Sequence, residues 1–270
     1  MKIDITYHCS MGCTHCLSDC RPDGRHMRIQ VFRDALLFAA LHASEDAPLI
    51  ISGGEPFEHP DIPDILDVLA KAVRQRIFPA IAIVTNGARL VDDPVLFAQT
   101  KEALRKGKGR LFLQVTNDPR FYPRVFTEKE RRKLLTITPV INTVEVLSPA
   151  GRALRNFPEE AFSKNYPSCG NVRLVARQTE TFRGLLSILQ QNVFFCTPTI
   201  GPDGLLRAGE SALCPPFGSI HDSDDVLRRK ILAFSCDDCP KRLCQNLAQM
   251  FDFAQTFKRV RVTAGEKEAS

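Results

Sequence analysis

Residues 2–16 read KIDITYHCSMGCTHC, an alternating apolar run that ends in three cysteines, Cys9, Cys13 and Cys16. The first seven residues have the composition of a buried strand. The thiols that follow are four and three residues apart, so one loop carries all three. Four more apolar runs resemble this opening: APLIISGG (47–54), AIAIVTNG (80–87), RLFLQVTN (110–117) and TVEVLSPAG (143–151). Between them, Ile65, Leu69 and Val73 recur at four-residue intervals, which predicts an amphipathic helix over 62–73. Asp93-Pro94 supplies an N-cap followed by proline at the first helical position. Strands alternating with helices predict an α/β protein with a parallel sheet covered by helices. Several of the runs end in Gly or small polar residues, and parallel α/β barrels gather their ligand-binding groups at such strand ends.

Composition narrows the function. The chain has 270 residues, 44% hydrophobic and 25% charged, the mix of a globular protein. No apolar run approaches the ~20 residues that cross a bilayer, and the N-terminus lacks the pattern of a secretory signal. A net charge of +5 is too weak to argue for nucleic acid. The expectation is a cytoplasmic protein with neither membrane nor nucleic acid as partner. Ten cysteines and no tryptophan are the anomaly. In a reducing compartment, clustered cysteines point to metal ligation or catalysis before disulfides.

Cys9-Ser-Met-Gly-Cys13-Thr-His-Cys16, directly after a strand, resembles the C-x3-C-x2-C signature of radical S-adenosylmethionine (radical SAM) enzymes. The resemblance covers roughly residues 1–190 and implies a partial (βα)6 TIM-like barrel. It implies a [4Fe–4S] cluster on Cys9, Cys13 and Cys16, whose fourth iron stays open to chelate SAM. Gly53-Gly54-Glu55-Pro56 is similar to the family's SAM-amine motif, with Glu55 set to pair with the methionyl ammonium. His15 takes the place of an aromatic residue near the adenine. Thr116-Asn117-Asp118 resembles a Ser-x-Asp element that helps hold SAM, so Thr116 and Asp118 join the cofactor-binding candidates. Asn86 and Arg152 are further pocket candidates, each equally readable as loop chemistry.

The later cysteines resemble the Twitch/SPASM domain of the same family. The match runs from Cys196 through a hairpin, with its turn at Pro202-Asp203-Gly204, to Gly209 and Cys214, then Cys236-Asp-Asp-Cys239 and Cys244. It implies one auxiliary [4Fe–4S] cluster on Cys196, Cys214, Cys236 and Cys239, with Cys244 as the substitute ligand. A structural zinc on the same four thiolates is the alternative. The implied division is a barrel over 1–190, a cluster domain over 191–255 and a polar tail over 256–270. Cys20 reads either as a tuning group for the first cluster or as a small buried hydrophobe. Cys169 reads as a substrate-facing, potentially catalytic thiol or an auxiliary ligand. The basic runs at 101–110 and 128–135 read as solvated helix faces.

The resemblance implies reductive cleavage of SAM to a 5′-deoxyadenosyl radical, hydrogen abstraction, and oxidation or cross-linking of the substrate. The leading expectation is an oxidoreductase of ribosomal-peptide maturation, with a separate protein to bind the leader peptide. The alternative is a small-molecule dehydrogenase acting on a carbohydrate or aminocyclitol. A reading of another class is a non-catalytic iron–sulfur or zinc module. Either enzyme would need an electron donor such as a flavodoxin or a ferredoxin.

Overall fold

The computed structural model describes residues 1–42, 47–145, 147–148, 150–158, 179–191, 198–209 and 211–234. Cys169, Cys196, Cys236, Cys239, Cys244 and the polar tail lie outside the described residues. The predicted runs fold as β1 (Lys2–Thr6), β2 (Leu49–Gly53), β3 (Ile81–Thr85) and β4 (Leu111–Thr116), all parallel. Helices cover one face: α1 (Ile29–His42), α2 (Ile62–Arg74), α3 (Ala88–Asp92), α4 (Pro94–Gly107) and α5 (Glu128–Leu134). The start of α4 is built as its sequence implies, with Asp93 Oδ1 accepting from the amides of Val95 and Leu96 at 3.1 and 3.0 Å.

Strand alternation sorts the side chains. Ile3 and Ile5 of β1 are fully buried and join the hydrophobic core. Lys2, Asp4 and Thr6 therefore point to the opposite, inner face of the sheet. Lys2 and Asp4 form an ion pair there at 3.1 Å. The interior of a barrel strand is normally filled by branched apolar residues, so this face is built for something polar.

One difference from the sequence reading has a clear cause. None of the described residues of the fifth run, 143–151, lies in a strand. The ladder there is only β5 (Ile141–Asn142), and Gly151 already opens α6 (Gly151–Asn156). The Val144 amide donates to Asp118 Oδ2 at 2.9 Å, and its carbonyl accepts from Arg120 Nη2 at 2.6 Å. Side chains have taken the backbone groups that a longer ladder would use. After α7 (Phe182–Gln191), β6 (Thr199–Ile200) pairs parallel with β1, so the barrel's sheet runs on into the next segment. The predicted hairpin follows as β6 and β7 (Leu205–Arg207), then β8 (Pro216–Ser219) and α8 (Asp224–Ala233). Among the described residues, the sheet has eight strands in the order β5-β4-β3-β2-β1-β6-β7-β8 and is not closed.

Candidate active site

The loop after β1 carries Cys9, Cys13 and Cys16 over the C-terminal ends of the strands, and anchors from distant parts of the chain fix it. Glu58, in a 3₁₀ turn after β2, accepts from the Ser10 amide at 2.9 Å and the Ser10 hydroxyl at 2.6 Å. The same carboxylate pairs with His8 Nε2 at 3.1 Å. From the other side, Arg152 Nε donates to the Cys13 carbonyl at 2.8 Å. Its Nη1 donates to Asp19 Oδ1 at 2.9 Å and to the Cys20 carbonyl at 3.2 Å. The Arg152 amide donates to the Cys16 carbonyl at 2.8 Å. Gly151 makes this approach possible. It sits at φ 58°, and a Cβ there would strike the carbonyls of Cys16 and Leu17.

The three thiols open on one cavity of about 240 Å³ inside the strand ends. His15, Gly53, Gly54, Asn86, Thr116 and Arg152 line the same cavity. Sequence reasoning gathered those residues from separate loops, and the fold brings them together. Asp118 and Glu55 are not among the lining residues. Asp118 is 1% exposed and accepts from Arg120 and the Val144 amide, fastening the β4 and β5 loops together. The Arg120 guanidinium holds its carboxyl far below the usual range.

Glu55 is also 1% exposed. Its Oε1 accepts from Thr85 Oγ1 at 2.6 Å and the Phe57 amide at 3.0 Å, and its Oε2 from the Asn86 amide at 2.8 Å. Burial pushes its carboxyl up to about 7 against the pull of these donors. The Glu55 side chain thus joins the ends of β2 and β3 behind the cavity wall. Its neighbours explain the glycine pair. Gly53 has φ 128°, and a Cβ on Gly53 or Gly54 would run into the carbonyls of Thr6 and His8. The two glycines let β2 close against the thiol loop.

His15 packs between Phe121 and Tyr122, with ring centroids 5.2 and 5.0 Å away. Burial lowers its pKa to about 4, so the ring is neutral near pH 7. Burial also pushes the Cys9 and Cys13 thiols up to about 12, so a metal group must displace their protons on binding. Cys16 shifts the other way because Cys20 hydrogen-bonds its sulfur.

The donor set bears on which group the loop could hold. Three sulfurs with no competing carboxylate ligand suit a soft, thiolate-bound centre. Among the described residues, no three His, Cys, Asp or Glu side chains converge closely enough to hold one metal ion. Three thiols lining one cavity match the three-thiolate set that holds an iron–sulfur cluster with one open iron.

Lys2, Ser52, Val84 and Tyr122 also line the cavity, and sequence reasoning assigned none of them to a cofactor; Cys20, read as a tuning group or a buried hydrophobe, lines it too. The alternation of β1 could have placed Lys2 there. Glu58 carried no local signal, because its partner Ser10 is 48 residues away. Of the later cysteine set, only Cys214 is described. Its turn docks on the thiol loop: Ser211 Oγ donates to the Leu17 carbonyl at 2.8 Å, and the Ala212 amide donates to Ser18 Oγ at 3.0 Å.

No protein-family model matches the chain. Its sequence is similar to the GTP 3′,8-cyclase of Tolumonas auensis, 32% identical over 96 residues, which are 34% of this chain and 27% of that protein. The GTP 3′,8-cyclase of Photorhabdus laumondii subsp. laumondii is 30% identical over 104 residues, 38% of this chain and 30% of that one. The matched stretch therefore spans less than a third of the length of these relatives. Among solved structures, the fold is similar to that of BtrN in complex with AdoMet and 2-DOIA. The TM-score is 0.51 at 12% identity, over 86% of this chain and 83% of that one.

Proposed function

We propose that this chain, a member of the radical SAM superfamily, reductively cleaves S-adenosylmethionine and oxidises or cross-links a substrate through the 5′-deoxyadenosyl radical. The observation that carries the reading is the placement of Cys9, Cys13 and Cys16 round the cavity that Gly53, Gly54, Asn86 and Thr116 also line. A [4Fe–4S] cluster bound by these three thiolates supplies the single electron that cleavage of the sulfonium requires. The chain's own residues hold and orient. Glu58 and Arg152 fix the thiol loop from opposite sides. Glu55 ties the Asn86 loop to the glycine pair, which fixes that wall of the SAM site. His15, neutral and set beside Tyr122, offers a flat uncharged surface to the adenine. The strand ends enclose the radical and keep water from it.

In this reading Cys196, Cys214, Cys236 and Cys239, with Cys244 as substitute, would hold an auxiliary [4Fe–4S] cluster, which would supply an acceptor for the electron lost when the substrate is oxidised. A flavodoxin or ferredoxin serves as donor to the first cluster. For the substrate we favour modification of a ribosomally made peptide, the class that the resemblance of the later cysteines to the Twitch/SPASM domain favours. The second reading is a small-molecule dehydrogenase. Its support is that BtrN, which shares the fold over most of both chains, binds 2-DOIA together with AdoMet.

The test is anaerobic. With dithionite and SAM, the reconstituted protein should release 5′-deoxyadenosine, and Cys13→Ala should reduce that release to background. An intact, iron-loaded protein that cleaves no SAM would overturn the proposal and leave an electron-carrying module. Deuterium transferred into 5′-deoxyadenosine from a labelled peptide, or from a labelled cyclitol, separates the two substrate classes.

A further inference from the structure

Cys20 lies outside the three-thiol motif, yet it is turned into the same cavity. It is 3% exposed, lines the cavity with Cys9, Cys13 and Cys16, and packs in one cluster with Cys9, Cys13 and Met11. Its contacts are directed at one of the three proposed ligands. The Cys20 amide donates to Cys16 Sγ at 3.4 Å, and the Cys20 side chain lines the cavity beside that sulfur. The segment cannot drift, because Arg152 Nη1 holds the Cys20 carbonyl while Arg152 Nε holds that of Cys13.

Resting on the radical SAM reading, we propose that Cys20 is a positioning residue that donates hydrogen bonds to Cys16 Sγ and so raises the reduction potential of the cluster held by the loop. The physical basis is charge. A bound cluster gains one negative charge on reduction, part of it on its sulfur ligands. A hydrogen bond to a ligand sulfur stabilises that added charge more than it stabilises the oxidised state. A fourth thiolate on the cluster would instead close the iron that SAM must reach, so Cys20 acts from beside the cluster as a donor.

Spectroelectrochemical titration of the reconstituted protein without substrate tests this, with iron and sulfide counted on each sample. Cys20→Ala should keep the native iron count and move the first cluster's midpoint to lower potential. Cys20→Val, which fills the space without a donor, should shift it the same way. Cys20→Ser keeps a donor and should return it close to native. Equal midpoints for native protein and all three variants would reduce Cys20 to packing. Loss of iron in both Cys20→Ala and Cys20→Val, with Cys20→Ser retaining it, would make Cys20 a ligand. A native protein that takes up no cluster would overturn the radical SAM reading itself, which the iron count shows separately.

Discussion

The loop carrying Cys9, Cys13 and Cys16 and the turn carrying Cys214 differ in how much of the chain they need. The loop takes its three thiols from eight consecutive residues and borrows only anchors, Glu58 and Arg152, from elsewhere. The Cys214 turn holds one thiol and is seated by hydrogen bonds to residues 194 positions earlier. A compact motif announces its chemistry in the sequence. A site built from distant pieces shows its chemistry only once the fold has placed them. The two regions meet at Leu17-Ser18, directly after Cys16, so the structure joins what the sequence separates.

The largest effect should come from removing the proposed ligands of the second region. Cys236→Ala with Cys239→Ala should halve the iron from about eight to about four per chain, if both regions hold [4Fe–4S] units. Release of 5′-deoxyadenosine should continue while modified product disappears. Circular dichroism must show a folded barrel, because metal binding can be folding energy for a small segment. Full product from a variant shown to lack the second cluster would make that region structural only.

A smaller loss is expected from Asp118→Asn. Asp118 is buried and accepts from Arg120 Nε, Arg120 Nη2 and the Val144 amide. Charge-assisted bonds of this kind contribute about 1.5–3 kcal/mol. The pH dependence has a definite sign. Because the folded-state pKa lies below the ordinary carboxylate value, the stabilisation is complete above about pH 4. It fades as the pH falls from there toward the folded-state pKa. Urea melts of native and Asp118→Asn protein should differ most at pH 6–7 and converge in acid. A gap that stays constant with pH would show that the charge on Asp118 does not matter.

Asp118 also shows where sequence reading stops. Its similarity to a cofactor-holding element was visible, but nothing local showed that Arg120 and Val144 would occupy its carboxylate. The same capture shortened β5, since a period-two pattern reports burial and says nothing of side chains competing for backbone groups. The first four strands and α2 were legible because hydrophobic periodicity is a property of the segment itself. Glu55 and Gly53-Gly54 were legible as a motif. Their contacts with Thr85, Asn86, Thr6 and His8 depend on neighbouring strands in the sheet, which the sequence does not order.

Arg152→Ala should cost less than Asp118→Asn, about 1–2 kcal/mol, because Arg152 and its partner Asp19 are both partly exposed. The consequence for the first region is larger than the energy suggests. The Cys13 and Cys20 carbonyls lose a shared donor, so the loop should reconstitute with iron more slowly at an unchanged final count. Stopped-flow absorbance during cluster assembly reads that rate. Native assembly kinetics in Arg152→Ala would show that Glu58 and the bonds of Thr14 to Phe121 and Asn156 hold the loop without it.

The smallest effect should come from the seam between the two regions, and it is the most direct test of whether they work together. Ser211→Ala removes the bond from Oγ to the Leu17 carbonyl and the acceptor for the Leu213 amide. Ser18→Ala removes the acceptor for the Ala212 amide. Each should cost about 1 kcal/mol. Both bonds hold the same short turn, so once one is lost the turn is less fixed and the other contributes less. The double variant should therefore cost less than the sum of the singles, with a coupling of about 0.5 kcal/mol or more. If Cys214 binds the second cluster, iron should be lost from that cluster alone, with the dithionite-driven release of 5′-deoxyadenosine unchanged. Strict additivity with full iron would mean that the turn is held elsewhere and that the contact at Leu17-Ser18 is incidental packing.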